Sequence, residues 1–419
     1  MTALSKTGLW EWHSDRGANL VDFGGWDMPL WYETGAVREH MAVIQSAGLF
    51  DTSHMSVVMV SGAGAFDLLQ NAFTRNFANV RSGRFLYGAF LKENGCCLDD
   101  AVVGKVADGE YMVVVNSGMG GPLKAHLESM GMGLDICLED LTGQVGKLDI
   151  QGPQSGRIIR KVLLEPDAVL KEMPYFSFKG HFKASERTAP VLLKDHTPVL
   201  LSRSGYTGEF GFELFVAPGK LNDVWYMINE AGEEYGLIPC GLAARDSLRA
   251  GAGLPLSHQD IGNWPFINHP WMFALPFNEA GAGFTKSFVG DCVLDLAKTA
   301  DHTVMYAGYD PRKVALHDDQ GEPSLVLDNN GREIGVVLTC VADMAVGRVN
   351  GRIVSVAGPD KPKDFKPKGL VCGFLKVKEP LETGRKVVLK DHRRSIDVEI
   401  VGDIRPDRTA RKKLDTFLR

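Results

Sequence analysis

The 419-residue sequence lacks the features of membrane, secreted and nucleic-acid-binding proteins. No apolar run is long enough to cross a bilayer, and the first residues, Met1–Lys6, contain no signal-peptide core. Excess positive charge is also missing, since the formal net charge is −6, which argues against a nucleic-acid or membrane-surface partner. We therefore expect a cytoplasmic protein with neither kind of partner.

Motifs that bind metal ions or carry redox chemistry are missing as well. The seven cysteines include no C-x-x-C pair, and the eleven histidines show no H-E-x-x-H spacing. The adjacent Cys96 and Cys97 would need a strained ring to form a disulfide, so buried free thiols are expected there. The sequence predicts no metal site.

The composition is that of a folded protein with more than one domain. Hydrophobic residues make up 44% of the chain and charged residues 23%, which is average for soluble proteins. The length exceeds what one ordinary core supports. From about Tyr306 the sequence changes to short strands separated by turns, which predicts a C-terminal β-barrel or sandwich.

A glycine- and acid-rich stretch, Ser202–Leu214, leads into an alternating apolar strand. The apolar residues of this strand recur with a two-residue period: Phe210, Phe212, Leu214 and Val216. The same period places Glu213 on the opposite face of the strand. Taken alone, the stretch is a β-hairpin with a solvated Glu213, or else Tyr206 and Glu213 form two walls of a polar pocket.

Two carboxylates, Asp99 and Asp100, lie inside an apolar strand predicted over Cys96–Val106. Burying them is costly unless something pairs with them. They alternate in direction along the strand, and both of its faces are apolar, so the period does not select between them. Either an aspartate accepts backbone N–H groups at a turn, or a carboxylate serves a ligand.

Four other polar residues and one loop are candidates for function. Arg245 and Arg249 share one face of a predicted helix, where they are either solvated or salt-bridged, or else hold a planar or carboxylate ligand. Asn116 ends a strand, either as a turn former or as a ligand contact. His54 is of a type more often packed than catalytic.

The segment Gly253–Phe277 is rich in Pro, His and Trp and is predicted to be a long ordered loop. Such loops are often functional.

In chain order these segments resemble the T-protein (aminomethyltransferase) family of the glycine cleavage system, which includes tetrahydrofolate-dependent demethylases. The resemblance covers nearly the whole chain and rests on six motifs: Val21–Pro29, Gly48–Met55, Leu98–Asp100, Gln151–Pro153, Ser202–Leu214 and Gly241–Arg249. It implies an α+β, three-domain, cloverleaf-like fold around a central folate channel. Two interleaved α+β domains would form a folate-binding catalytic region over 1–290, and 300–419 would form a β-barrel.

The resemblance also implies tetrahydrofolate as the cofactor and assigns roles within its site. Asp100 would be the catalytic carboxylate near the reacting end of the folate. The residues implied to bind the folate are Tyr87, Asn116, Tyr206, Glu213 and Arg245. Glu213 and Arg245 would bond the polar edge of the pterin, because a carboxylate facing a pair of N–H groups suits bidentate recognition.

The long loop departs from the family pattern. Family members usually read leucine-tyrosine-glycine where this chain has Pro255–Ile261, and the segment after it is more aromatic and lacks the usual glutamate. These changes fall where the one-carbon donor is expected, so His258 and Trp264 are candidate substrate residues. His54, outside this loop, is a third candidate. The donor partner stays open between a lipoyl carrier protein and a small methylated compound.

Three functions follow from the resemblance. The leading one is an aminomethyltransferase-like transfer of a one-carbon unit to N5 of tetrahydrofolate. The alternative is a demethylase acting on a methylated S, O or N donor, which an aromatic loop could bind when the donor is a cation. A non-catalytic folate-binding module is disfavoured. Relatives of that kind carry lysine-glycine-cysteine-tyrosine where this chain has Arg203–Tyr206, and Asp100 is retained here.

Overall fold

The computed structural model describes residues 3–183 and 187–418, which form a mixed α+β fold built on three large sheets. The α-helices of this part of the chain are α1 (Trp10–Asp15), α2 (Ala36–Gln45), α3 (Ala65–Ala72), α4 (Gly120–Met130), α5 (Ser155–Val162), α6 (Pro166–Leu170), α7 (Leu221–Gly232) and α8 (Leu242–Gly251). Its strands are β1 (Asn19–Phe23), β2 (Trp26–Trp31), β3 (Ala47–Asp51), β4 (Ser56–Ser61), β5 (Arg84–Leu91), β6 (Cys97–Ala107), β7 (Glu110–Val115), β8 (Cys137–Asp140), β9 (Gly146–Gln151), β10 (Phe178–Gly180), β11 (Leu200–Ser202), β12 (Gly211–Val216), β13 (Leu237–Pro239), β14 (His302–Ala307), β15 (Leu325–Leu327), β16 (Glu333–Asp343), β17 (Val346–Val349), β18 (Arg352–Ser355), β19 (Leu370–Val377), β20 (Lys386–Lys390) and β21 (Ser395–Ile400).

The first large sheet is antiparallel, with strand order β5-β6-β7-β4-β8. Helices α3 and α4 cover one face, where Leu68 and Leu127 are buried against Val58 and Val103. Each leucine buried in this way stabilises the fold by roughly 2 kcal/mol. The strand predicted over Cys96–Val106 is confirmed as β6, displaced by one residue.

The second large sheet has strand order β10-β11-β12-β9-β3-β13, and β13 pairs parallel with β3 while the other pairs are antiparallel. Helices α5 and α7 bury Ile158 and Trp225 against it. The alternation predicted for β12 is confirmed, with Phe212 and Leu214 in the core. The interpretation of Glu213 as a solvated side chain is wrong, since its side chain is only 15% exposed.

The third sheet closes into a barrel with strand order β14-β19-β16-β15-β20-β21. It confirms the β-barrel predicted near the C-terminus. The barrel strands begin at His302 and end at Ile400. After Ile400 the chain returns to the second sheet, where the ring of Phe417 stacks on that of Phe210 with centroids 4.1 Å apart. The division of the chain into a catalytic region over 1–290 and a barrel domain over 300–419 stays a prediction.

Buried charges join the barrel to the rest of the chain. Asp343, at the end of β16, lies 3.0 Å from Nε2 of His40 on α2 and 2.6 Å from Nη1 of Arg405, and all three side chains are buried. Burial alone would raise the pKa of Asp343, but the charges of Arg405 and His40 hold it well below its usual range. At Gly251, which ends α8, an added Cβ would overlap Asp343 Oδ2. The close approach of α8 to the end of β16 therefore requires glycine at this position.

In the part of the chain that the structure describes, the cysteines are free thiols, and neither a helix suited to cross a membrane nor a cluster suited to bind a metal ion is present. No helix in residues 3–183 and 187–418 is long and apolar enough to cross a membrane. The same residues contain no group of three or more His, Cys, Asp or Glu side chains placed to hold a metal ion. All seven cysteines are free thiols, and the buried state expected of Cys96 and Cys97 is confirmed.

Candidate active site

A cavity of about 1210 Å³ lies where the three large sheets meet. The predicted site residues that line it are His54, Tyr87, Asp100, Asn116, Tyr206, Glu213, Arg245 and His258. They come from β5, β6 and the end of β7 in the first sheet, from the β11–β12 region in the second, from the turn between β3 and β4, and from α8 and the loop after it. The fold therefore gathers at one surface side chains that lie up to about 200 positions apart in sequence.

The acidic pair on β6 is held by side chains of the neighbouring strands. The amide nitrogen Nδ2 of Asn116 donates to Oδ1 of both Asp99 and Asp100, at 2.8 Å and 2.7 Å. The hydroxyl of Tyr87 donates to Oδ2 of Asp100 at 2.8 Å. Asp99 is fully buried and also accepts the backbone N–H of Asn116 at 3.0 Å, whereas Asp100 reaches the cavity.

Asp100 has the electrostatics of a proton-exchanging group. Burial, and after it the negative charge of Asp99, raises the pKa of Asp100 to about 6. Burial and the charge of Asp100 raise the pKa of Tyr87 well above its usual value, so Tyr87 remains a hydrogen-bond donor. A cavity carboxyl that titrates near neutral pH is typical of functional sites, because it accepts and releases protons under working conditions.

A four-charge cluster, defined as Lys147, Asp149, Glu213 and Arg245, occupies another part of the site. Nζ of Lys147 lies 2.6 Å from Asp149 Oδ1 and also bonds Glu213, while Nη1 of Arg245 lies 2.6 Å from Asp149 Oδ2. Strand register explains the arrangement, because Asp149 on β9 and Glu213 on β12 are direct cross-strand neighbours. Lys147 lies between the two carboxylates and offsets their repulsion.

The four-charge cluster is balanced, with two cations and two anions. Burial alone would raise the pKa of Asp149, but the charges of Lys147 and Arg245 outweigh it and hold that pKa well below its usual range. Ser204 donates a further hydrogen bond to Glu213. The cluster therefore presents ordered polar groups without net charge, which suits a neutral ligand with a polar edge.

Aromatic rings form flat walls beside these polar groups. The guanidinium of Arg245 lies 5.0 Å from the ring centroid of Tyr206, whose hydroxyl donates to the backbone carbonyl of Pro255. The ring of Tyr87 lies 5.9 Å from that of Phe273, which is 55% exposed. Flat apolar surfaces next to directed hydrogen-bonding groups are the usual components of a site for a planar ring.

His54 lines the cavity but behaves mainly as a packed residue. Its ring meets that of Phe23 edge-on, with centroids 5.4 Å apart, and its Nδ1 is buried without a hydrogen-bond partner among the described residues. Burial lowers its pKa to about 4, so His54 is neutral at physiological pH. Its role toward a substrate stays a prediction.

Trp264 does not reach the cavity. Nζ of Lys376 lies 4.4 Å from its ring centroid, on the outer side of the loop against the barrel. Trp271 and Phe273 of the same loop line the cavity instead. The sequence reveals the aromatic character of the loop but not which ring turns inward, because no periodic pattern fixes direction in irregular backbone.

The sequence patterns did not indicate Lys147, Asp149 or Ser257 as site residues. A signal for the first two exists in β9, where a lysine and an aspartate two positions apart interrupt a wholly buried strand. Of the interpretations open for Arg249, the salt-bridged one is confirmed and the solvated one is not. Its side chain is fully buried and pairs with Asp260, which lies in the long loop.

Comparison with known proteins agrees with this geometry. Residues 9–264 match the family model described as the GCVT N-terminal domain. The chain is 35% identical over 343 residues to an aminomethyltransferase of Halothermothrix orenii, covering 80% of this chain and 87% of the relative. It is 31% identical over 404 residues to an aminomethyltransferase of Natranaerobius thermophilus, covering 96% and 98%.

A solved structure extends the similarity to the whole fold. The crystal structure of glycine cleavage system aminomethyltransferase T from Bartonella henselae superposes with a TM-score of 0.74 at 26% identity, covering 95% of this chain and 97% of the other. This match confirms the predicted fold class. The chain belongs to the glycine cleavage T-protein family, a family of aminomethyltransferase enzymes.

Proposed function

We propose that the protein transfers a one-carbon unit to N5 of tetrahydrofolate in an aminomethyltransferase-like reaction. The observation that carries this proposal is that one cavity is lined by Asp100, whose pKa is about 6, and by three members of the balanced four-charge cluster. The fourth member, Asp149, is fully buried and forms ion pairs with two of them, Lys147 and Arg245. The carboxyl suits proton exchange during transfer, and the cluster suits the polar edge of a neutral pterin.

The residues present fit a folate. Glu213 bonds Lys147 and Ser204, yet a carboxylate has about four acceptor positions, so it can accept further N–H groups from a ligand. Tyr87 and Tyr206 supply flat walls. The cavity volume of about 1210 Å³ also exceeds the roughly 300–1,000 Å³ of common small-molecule sites, which leaves room for a folate and a donor together.

In this function the protein acts mainly by positioning and electrostatics. The hydrogen bonds from Tyr87 and Asn116 fix the direction of the Asp100 carboxylate. From there Asp100 stabilises the positive charge that develops on a folate nitrogen as it attacks the donor carbon. The buried walls exclude water, which strengthens this interaction because the local dielectric constant is low.

We expect Glu213→Gln to weaken tetrahydrofolate binding about tenfold or more, because a hydrogen bond to a charged group is worth roughly 1.5–3 kcal/mol. The amide offers one acceptor oxygen in place of two and carries no charge. Turnover at saturating folate should change less than affinity. Isothermal titration calorimetry measures the dissociation constant, and Glu382→Gln, at an exposed barrel position, is the matched control. Equal affinities of the two variants would contradict the assignment.

The donor is proposed as an aminomethyl group on a lipoyl sulfur of a carrier protein. The alternative, a small methylated donor, is supported by Trp271 and Phe273 on the cavity wall, since aromatic rings attract methylated cations. The two reactions give different products. Mass spectrometry should detect 5,10-methylene-tetrahydrofolate after incubation with a lipoyl-carrier system. Finding 5-methyl-tetrahydrofolate with a methylated donor would establish the alternative, and neither product would favour a folate-binding module.

A further inference from the structure

His258 has a backbone conformation that histidine rarely adopts. Its φ is +63°, in the left-handed region where Cβ crowds the following carbonyl oxygen. Residues other than glycine persist in this region only where the surrounding structure enforces it, and they cluster at functional sites. The position of His258 on the wall of the cavity therefore calls for an explanation beyond loop geometry.

The turn that carries His258 is fixed to both the barrel and α8. Within the turn, the backbone N–H of Leu256 donates to Asp260 Oδ2 at 3.0 Å, and that of Asp260 donates to the carbonyl of Leu256 at 2.8 Å. Asp260 also accepts a hydrogen bond from Thr339 of β16 at 2.7 Å and pairs with the buried Arg249 of α8. His258, at the tip of the turn, thus has a fixed direction.

The turn brings the imidazole to the acidic pair. Nε2 of His258 lies 3.5 Å from Oδ1 of Asp99, and its side chain is 55% exposed whereas Asp99 is fully buried. Hydroxyl Oγ of Ser257 donates to the same Oδ1 at 2.7 Å, and Asn116 donates to both oxygens of Asp99. These donors hold the Asp99 carboxylate as an oriented anion behind an accessible imidazole.

The charged groups around His258 favour its protonated form. The contact with Asp99 raises the pKa of His258, burial opposes this rise, and Asp100 on the same strand adds to it. Lys92, in the turn before β6, acts in the opposite direction but more weakly. An accessible imidazole beside a cavity, with an oriented carboxylate behind it, is suited to moving protons.

We propose that His258, positioned by Asp99, carries protons between the folate amines and the departing groups of the one-carbon donor. This inference rests on the proposed function and adds to it a proton carrier separate from Asp100. Asp99 does not face the cavity, so it acts as a positioning residue for His258 and not as the carrier itself.

The folate releases as many protons as the departing groups take up, so one carrier can move all of them. When an aminomethyl group leaves a lipoyl sulfur, its C–S and C–N bonds break and two new C–N bonds form, to N5 and N10 of the folate. The folate nitrogens together lose two protons, and the departing thiol and ammonia together gain two. No external acid, oxidant or reductant is required. A methyl donor would need one such transfer, from N5 to a departing oxygen or nitrogen. A sulfonium donor departs as a neutral thioether, and the N5 proton then passes to solvent.

The test is chemical rescue of His258→Gly in the full-length enzyme. Glycine tolerates positive φ, so this variant should keep the fold. We expect kcat to fall about 100-fold, in the usual range for a lost acid–base group, and free imidazole to restore it by roughly tenfold. Two controls should show no response to imidazole: Asp100→Asn, and His392→Gly at an exposed position of the barrel.

A second measurement does not depend on turnover. In the free enzyme, NMR titration of His258 labelled in its imidazole should give a pKa above the roughly 6.5 of an unperturbed histidine, and Asp99→Asn should lower it. Wild-type-like kcat of His258→Gly, or a His258 pKa insensitive to Asp99→Asn, would overturn the proton-carrier role alone. A wild-type enzyme that forms no folate product would overturn the proposed function, and this inference with it.

Discussion

Replacing Asp100 with asparagine is expected to lower kcat for one-carbon transfer about 100-fold or more, with much less effect on tetrahydrofolate affinity. Asparagine has nearly the same shape and can still accept the hydrogen bond from Tyr87. It carries no negative charge and cannot take up a proton, so it cannot stabilise charge that develops only during attack. Such an interaction contributes to turnover and not to ground-state binding.

The stability of Asp100→Asn should show that the lost turnover is not a folding defect. In the native state Asp100 has a pKa of about 6, against 3.8 for an unperturbed aspartate. Between these values the native protein binds more protons than the unfolded chain, so stability falls as pH rises through this window. Above about pH 6 the full penalty of the buried charge remains. The variant removes it and should be more stable at about pH 7 by on the order of 1–2 kcal/mol.

Stopped-flow or steady-state kinetics, folate titration and thermal unfolding at about pH 4 and pH 7 test this prediction together. The stability difference should disappear at the acid end, where both proteins are neutral at this position. Equal turnover of wild type and variant would remove Asp100 from the mechanism. A variant less stable than wild type at neutral pH would contradict the raised pKa.

The largest expected loss of stability follows from Asp149→Asn, which should lower the free energy of unfolding by about 3–5 kcal/mol. Asp149 is fully buried and lies 2.6 Å from both Nζ of Lys147 and Nη1 of Arg245. The neutral amide would leave two buried cations with Glu213 as their remaining counter-charge. Removing one partner from a buried ion pair costs more than the pair contributes, because the remaining charge stays desolvated.

Urea unfolding followed by tryptophan fluorescence measures this effect. The matched control is Asp108→Asn, because the Asp108 side chain is 98% exposed and solvent screens its ion pair with Lys105, which should contribute little to stability. The native pKa of Asp149 is lowered, so its contribution is present above the unfolded pKa and is lost on strong acidification. Equal losses in the two variants would show that the four-charge cluster does not stabilise the fold.

Much of the fold was predictable because it rests on short-range patterns. The two-residue period around Phe212 and the apolar run that contains Asp100 each locate a strand correctly. The change near Tyr306 to short strands separated by turns locates the barrel. These signals are local, and each reflects which face of a strand is buried.

The site was less predictable because its geometry depends on contacts between distant segments. Both faces of β6 carry apolar residues, so the period could not decide whether Asp99 or Asp100 reaches the cavity; sheet packing and Asn116 decide it. The sequence could not show whether Arg249 is solvated or salt-bridged, because its partner, Asp260, lies in an irregular loop. Nothing in the sequence shows that this loop folds back on α8.

The return of the chain after the barrel has a consequence for how substrates are exchanged. Hinge closure of a domain requires a few connecting residues that absorb the rotation while few other contacts resist it. Here Asp343 of the barrel forms buried ion pairs with His40 and Arg405. Arg405 also pairs with Glu209, next to the stacked rings of Phe210 and Phe417. Swinging the barrel outward would break the buried ion pairs of Asp343. We therefore expect the barrel to act as a fixed wall while substrates enter and leave through the mouth of the cavity.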